Sequence, residues 1–121
     1  MSAFDDVNSL PRQQIWESVL SRAVQGENAT LAYLELDADS DVPEHSHANE
    51  QIGMLLHGSV TFTIGEESQA VEPGGTWCIP PDVPHSVLVG PDGAVIVEVF
   101  APARADWAAI KELPPERVQR L

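Results

Sequence analysis

Two histidines separated by one residue, His45 and His47, have a spacing that can support metal chemistry. Residues two apart on an extended strand project from the same face, so both imidazoles can reach one ion. A short polar turn follows, and Glu50 and Gln51 stand where the next predicted strand begins. Either residue could supply a third donor, and the spacing alone leaves both open.

The other two histidines stand in different surroundings. His85 follows a proline-rich loop, Ile79-Pro80-Pro81-Asp82-Val83-Pro84. His57 lies beyond Gln51 on the same predicted strand, at a distance of about 20 Å if that strand is extended. We therefore expect His57 at a turn or on the surface, away from a site that contains His45.

The histidine pair and its neighbours resemble the first signature motif of the cupin superfamily. That motif runs Gly, His-x-His, Glu and a strand-ending Gly; Gly58 matches its end, and Asp39 and Gln51 stand in place of its first Gly and its Glu. The resemblance implies that Gln51 is the third ligand. Glu50 is then expected to point outward or to contact a ligand without binding the metal itself. A neutral amide in place of a carboxylate leaves such a site one negative charge short.

A later segment resembles the second cupin motif. Gly74, Pro80 and His85 match it, whereas Asp82 and Val89 replace its second Gly and its Asn. The superfamily resemblance implies a jelly-roll β-barrel that holds one divalent transition metal. Imidazole nitrogens and an amide oxygen suit zinc, iron, nickel, copper or manganese. The implied metal ligands are His45, His47, Gln51 and His85.

A closer resemblance, over most of the chain, is to small single-domain cupins of the KdgF type. It is carried by His45-Ser46-His47-Ala48-Asn49-Glu50-Gln51 and by Glu98-Val99-Phe100-Ala101-Pro102-Ala103-Arg104-Ala105-Asp106-Trp107. Enzymes of this type open the ring of the 4,5-unsaturated uronates released by pectin and alginate lyases. The resemblance implies that Arg104 holds a substrate carboxylate and that a carboxyl group moves a proton. The implied catalytic residues are Glu98, in the position of the family's Asp, with Phe100 and Arg104.

The composition fits one globular domain with an acidic surface. A chain of 121 residues can bury about two thirds of its unfolded surface in a single core. Its 19 acidic and 6 basic residues give a formal net charge of −13, which disfavours nucleic acid and anionic membranes as partners. No run of about 18 apolar residues indicates a transmembrane helix. We expect a cytoplasmic protein with a small-molecule substrate.

Short segments punctuated by Gly, Pro and Asp predict an all-β fold. Alternation over residues 29–37 places Ala32, Leu34 and Leu36 on one apolar face. Cys78 stands between Trp77 and Ile79, and we expect it to be buried in a strand. The other predicted strands are 14–24, 51–57, 60–64, 69–72, 76–80, 85–89 and 94–100, with turns at Gly58-Ser59 and over residues 90–93.

The carboxyl-terminal segment changes character. Residues 103–113 are rich in helix formers and Pro114-Pro115 follow them, which predicts one short helix outside the barrel. Residues 1–28 form an extension with the first strand, 29–102 the barrel core, and 103–121 the helix and tail of one domain. Because strand 51–57 is apolar on both faces, its outer face needs a cover. The chain's amino-terminal strand or a second subunit could provide it, and we expect a homodimer.

Three functions remain open. The first is a metal-dependent enzyme acting on a small sugar acid or a similar enolisable compound. The second is a metal-dependent dioxygenase or a polyketide-cyclase-like cupin. The third is a cupin that binds a small molecule without turnover.

Overall fold

Antiparallel β-strands make up most of the computed structural model, which describes residues 2–121. The strands are β1 (Gln13–Trp16), β2 (Val19–Gln25), β3 (Thr30–Leu36), β4 (Asp41–His45), β5 (Glu50–Ile64), β6 (Glu67–Val71), β7 (Thr76–Ile79) and β8 (His85–Ala101). Short 3₁₀ helices lie at Val7–Ser9 and Ala105–Ala109. Within the described residues, no helix is long and apolar enough to cross a bilayer.

All eight strands belong to one continuous hydrogen-bonded sheet, which the long strands β5 and β8 fold into two facing sheets. The first half of β5 and the second half of β8 form one sheet with β1, β2, β3 and β7, and the remaining halves pair with each other and with β4 and β6. At Gly58, where β5 passes from one sheet to the other, φ is 84°. A Cβ there would lie 1.9 Å from the carbonyl oxygen of Gly93, so only glycine fits. The two sheets close into the predicted jelly-roll barrel.

The barrel core follows the predicted alternation. Ala32, Leu34 and Leu36 all point inward from β3 and are buried, while Leu55 and Ile96 are buried at the centre of β5 and β8. Removing such a side chain from water stabilises the fold by about 1.5–3 kcal/mol. The core therefore holds the two sheets together beneath the candidate site.

Several predicted strand boundaries are wrong. The single strand predicted over 14–24 is two strands, β1 and β2, because Glu17-Ser18 form a tight turn and Trp16 pairs with Val19. The turns predicted at Gly58-Ser59 and over 90–93 lie inside β5 and β8. Gly58 and Gly93 adopt φ of 84° and 74°, so they bend these strands without ending them.

The predicted carboxyl-terminal helix is also wrong. Only Ala105–Ala109 is helical, as a 3₁₀ helix. The side-chain nitrogen Nε2 of Gln13 donates to the backbone carbonyls of Trp107 and Ile110. Leu113 pairs with Arg12 through two backbone hydrogen bonds. These tertiary bonds fix the segment against the barrel, and a helix this short has little stability of its own to compete with them.

The end of the chain crosses the outer face of the larger sheet. Arg22, whose side chain is buried, forms a 2.9 Å ion pair with Glu35 and donates to the carbonyl of Glu116. The hydroxyl of Tyr33 donates to the carbonyl of Arg120. These contacts cover Arg22 and Tyr33, which pair directly with each other on that face.

The neighbouring row on the same face has no such cover. Its members pair directly across five strands and are all exposed. We call them the outer apolar row: Val24, Leu31, Val99, Ile52 and Cys78. The predicted burial of Cys78 is therefore wrong, because alternation in β7 turns its two neighbours inward and the thiol outward.

Candidate metal centre

The candidate metal centre lies at one end of the barrel, where strands β4, β5 and β8 begin or end. His45 is the last residue of β4 and pairs directly with His85, the first residue of β8. His47 lies in the turn that follows β4, and Gln51 lies at the start of β5. Strand pairing thus brings together side chains that are far apart in sequence.

The three histidines form a compact group. One nitrogen from each ring lies within 4.8 Å of those of the other two. The ring centroids are 4.2 Å apart for His45 and His85 and 4.9 Å apart for His47 and His85. His57 lies outside this group, as predicted, but it is half-buried within β5 and does not lie at a turn.

Hydrogen bonds determine which ring nitrogen faces the centre of the group. In each ring Nδ1 contacts a backbone carbonyl, which can only accept a hydrogen bond, so Nδ1 carries the proton. The neutral ring then presents the lone pair of Nε2. The carbonyls belong to Pro43 for His45 (2.8 Å), Asn49 for His47 (3.0 Å) and Val83 for His85 (2.9 Å).

Burial keeps two of these rings neutral near pH 7. It lowers the pKa of His85 from 6.5 to about 4, and it also lowers the pKa of His45. The neighbouring rings and Arg104 act in the same direction. Unprotonated imidazoles are the form that coordinates metals.

Gln51 is held between the histidines and a buried carboxylate. Its Oε1 lies 2.9 Å from Nε2 of His47, and its side-chain nitrogen donates to Oε2 of Glu98. The indole nitrogen of Trp77 donates to the same Oε2 at 2.8 Å. Glu98 is 4% exposed, and burial raises its pKa although both hydrogen bonds oppose that change.

The donor set fits a metal ion. With a neutral His47 ring, two lone pairs, on His47 Nε2 and Gln51 Oε1, face each other at 2.9 Å. Nε2 of His85 is buried and has no hydrogen-bond partner among the described residues. A cation bound among these atoms would satisfy all of them, since three imidazole nitrogens and an amide oxygen are suitable ligands for a borderline divalent metal.

Glu50 does not join this group. Alternation along β5 turns Gln51 inward, where it is 5% exposed, and leaves Glu50 exposed on the opposite face. Of the two donors that the spacing left open, only Gln51 lies beside the histidines.

A cavity of about 160 Å³ adjoins the histidines. Glu98, Phe100 and Arg104, the predicted catalytic residues, all line it. The ring of Phe100 packs edge-on against His47 at 5.9 Å. Arg104 lies 5.0 Å from the Phe100 ring and 4.9 Å from the Trp107 ring.

The guanidinium of Arg104 already has an acidic partner. Its Nε and Nη2 donate to the two carboxylate oxygens of Asp106 at 3.1 and 3.0 Å. This pair lowers the pKa of Asp106. The third nitrogen, Nη1, makes no hydrogen bond within residues 2–121 and is free to donate into the cavity.

Two aromatic contacts were not predicted from the sequence. Trp16 packs against His45 with ring centroids 4.7 Å apart, and Trp77 donates to Glu98. The detectable signal for Trp77 is Gly53, a glycine inside a strand, which often marks the close approach of another group.

Comparisons with known proteins agree with this architecture. A family model described as "Cupin domain" matches residues 32–100. A comparison with curated protein sequences gives no significant match.

Solved structures with the same fold share little sequence with this chain. An RmlC-like cupin from Shewanella frigidimarina superposes with a TM-score of 0.81 at 17% identity, covering 88% of this chain and 96% of the other. KdgF from Halomonas sp. gives 0.79 at 17% identity, covering 88% and 98%. Oxalate decarboxylase from Bacillus subtilis, studied for its Mn(II) centres, gives 0.73 at 18% identity, covering 93% of this chain and 34% of the other. Since the family model spans more than half of its residues, the chain belongs to the cupin family.

Proposed function

We propose that this protein is a metal-dependent enzyme that opens the ring of a small unsaturated sugar acid, such as a 4,5-unsaturated uronate. The observation that carries the proposal is the convergence of three histidines and Gln51 beside a cavity that also contains Arg104. The fold likeness to KdgF from Halomonas sp. supports it.

The proposed ligands are His45, His47, Gln51 and His85. A divalent metal held there would supply Lewis-acid polarisation of a substrate oxygen. The protein's own part begins with the three Nδ1–H to carbonyl hydrogen bonds. These fix the ring orientations before any ion binds, so the donors need little rearrangement.

Arg104 is the proposed anchor for the substrate carboxylate. It is the cation that lines the cavity, and it is held in place by Asp106 and by the two aromatic rings. With Nε and Nη2 engaged, Nη1 would donate to the substrate. A paired contact of the kind implied by the family resemblance would require Asp106 to release one side of the guanidinium. Because exposed charges are screened beyond about 8 Å, this local cation outweighs the acidic surface.

Glu98 is the proposed proton carrier. Ring opening is an isomerisation: the bond from the ring oxygen to the anomeric carbon breaks, the anomeric hydroxyl becomes an aldehyde, and the enol left behind becomes a ketone. The net change moves protons without adding or removing an atom. A carboxyl group whose pKa is raised by burial accepts a proton more readily than an exposed one, as a proton carrier requires.

We also propose that the outer apolar row joins two copies of the chain. A two-fold axis through the row would place the same apolar side chains against each other. Neither the tail nor the amino-terminal strands cover it, since Val24 and Ile52 are each 48% exposed. A second copy of the chain presents the same apolar row, so no different complementary surface is needed to cover it.

The test of the enzymatic proposal starts with metal analysis of protein purified without added metal. The loaded protein is then assayed with unsaturated galacturonate and mannuronate by the loss of ultraviolet absorbance of the double bond. We expect turnover that chelation abolishes. Oxygen consumption with a flavonol or a diketone, or thermal stabilisation by a ligand without turnover, would instead support the two alternative functions and contradict this one.

A further inference from the structure

The hydrogen bond from Trp77 to Glu98 crosses an intervening strand. Trp77 on β7 and Glu98 on β8 both pair with Gly53 on β5, one from each side. The indole lies over Gly53, and its nitrogen reaches Oε2 of Glu98 at 2.8 Å. The three residues form one row across the inner face of the sheet, immediately beside Gln51.

Gly53 is what allows this crossing. A Cβ built on it would lie 2.6 Å from Nε1 of Trp77 and 2.7 Å from Cε2 and Cζ2 of the same ring. Any side chain at this position would push the indole away from Glu98. A glycine inside a strand weakens the strand, so the close packing of the indole gives a physical reason for its presence.

The hydrogen bonds of Trp77 and Glu98 determine which way the side-chain amide of Gln51 is turned. An amide has one accepting and one donating end, and a rotation by 180° would turn –NH₂ toward His47 and the metal ligands. With the carboxylate of Glu98 on one side, the donating end of Gln51 turns toward Glu98 and the accepting end toward His47. The orientation of the amide therefore depends on the position of the carboxylate.

We propose that Trp77 and Gly53 are positioning residues for the metal centre, which hold Glu98 so that the oxygen of Gln51 faces the histidines. This inference rests on the metal ligands of the proposed function and is independent of its substrate. In this proposal the indole N–H acts on the proposed ligand through one intermediate residue. Trp77 orients Glu98, and Glu98 orients Gln51.

The test measures the affinity for Co²⁺ alone, in the absence of substrate, by competition with a chelator and by the visible spectrum of the bound ion. Trp77→Phe removes the N–H, and Gly53→Ala displaces the indole without removing a polar group. We expect each variant to lower the Co²⁺ affinity by about 10–100-fold, the usual effect of losing a residue that orients a metal ligand. Each should also change the visible spectrum of the bound Co²⁺. Each variant's unfolding is measured alongside.

The matched control is Phe62→Leu. Phe62 packs against the Trp77 ring with centroids 4.5 Å apart and is buried in the core. This variant loosens the packing of the indole but keeps its N–H. We expect Phe62→Leu to lower stability with little change in Co²⁺ affinity. If Trp77 acted only through its packing, Phe62→Leu would lower the Co²⁺ affinity as well.

Substitution of Glu98 provides a further arm of the test. Both donors reach the same oxygen, Oε2 of Glu98. Glu98→Gln can keep an accepting oxygen at that place, whereas Glu98→Leu removes the acceptor of both bonds and leaves the Gln51 amide free to turn. We therefore expect Glu98→Leu to lower the Co²⁺ affinity and Glu98→Gln to retain most of it.

The outcomes separate this inference from the proposed function. If Trp77→Phe and Phe62→Leu have the same effect on Co²⁺ affinity, or if Glu98→Leu binds Co²⁺ as tightly as Glu98→Gln, the positioning role is overturned while the metal site stands. Failure of the wild-type protein to bind Co²⁺ would overturn both. Absence of turnover on sugar acids with intact Co²⁺ results would overturn the proposed substrate alone.

Discussion

Replacement of His85 by leucine should change stability in opposite directions with and without metal. His85 is 2% exposed and its Nε2 has no partner among the described residues. A buried polar group without a partner costs about 1–3 kcal/mol. Leucine removes that cost but also the bond to the Val83 carbonyl, which contributes about 0.5–1.5 kcal/mol. The metal-free His85→Leu protein should therefore be more stable than the wild type by roughly 1 kcal/mol.

Metal should reverse this order. At a free metal concentration of 100 times Kd, a ligand that binds only the folded state stabilises it by about 2.7 kcal/mol. The wild type gains this free energy, whereas the variant has lost one of the proposed metal ligands. The wild type should then be the more stable protein by roughly 1–2 kcal/mol.

The assay is urea unfolding of both proteins near pH 7, first with EDTA and then with Co²⁺. His57→Leu is the matched control, because His57 lies outside the group of three histidines; it should respond to Co²⁺ as the wild type does. A His85→Leu protein that is less stable in EDTA, or that gains as much from Co²⁺ as the wild type, would refute the reasoning.

Three further predictions concern pH, the cavity and the outer face. Because the folded state lowers the pKa of His85 from 6.5 to about 4, the unfolded chain binds more protons in this range; metal-free stability should fall as pH drops from about 6.5 to 4, by up to roughly 3 kcal/mol. Urea unfolding at several pH values checks this, and a slope unchanged in His85→Leu would contradict it. Arg104→Ala should leave Co²⁺ binding intact and weaken the binding of an unsaturated uronate by about 10–100-fold, as expected for loss of a charged hydrogen bond; calorimetry measures both, with Arg12→Ala as control, and equal uronate affinity in the two variants would exclude an anchoring role. Ile52→Asp should yield monomers in sedimentation velocity where the wild type gives dimers, whereas Leu88→Asp, at a residue 62% exposed on the other sheet, should not; dimers that persist in Ile52→Asp would place the interface elsewhere.

The sequence predicted the barrel and the grouping of the three histidines well where the signal is local or carried by a motif. The alternation of Ala32, Leu34 and Leu36 correctly predicted an inner face. The spacing of His45 and His47 correctly brought two donors together. His85 could be placed only through its resemblance to a motif, because its proximity depends on the pairing of β4 with β8.

The errors arise where tertiary contacts outweigh local preference. Residues 103–113 favour a helix by composition, yet only Ala105–Ala109 form a short 3₁₀ helix, because hydrogen bonds from the Gln13 side chain and to Arg12 fix the segment against the barrel. Apolar neighbours suggested that Cys78 is buried, but alternation turns it outward. The bond from Trp77 to Glu98 spans three strands; Gly53 indicates that some group approaches closely there, but no local pattern identifies the two partners.

The direct pairing of His45 with His85 joins the candidate metal centre to a strand at the edge of the sheet. Among the described residues β4 pairs only with β8, and its register is irregular between Val42 and His45. Such a strand is expected to detach more often than the barrel centre. An ion bound by both histidines would hold β4 against β8, so the ion should dissociate when β4 separates from β8. The rate of hydrogen–deuterium exchange of the β4 amides should therefore report how long the ion stays bound.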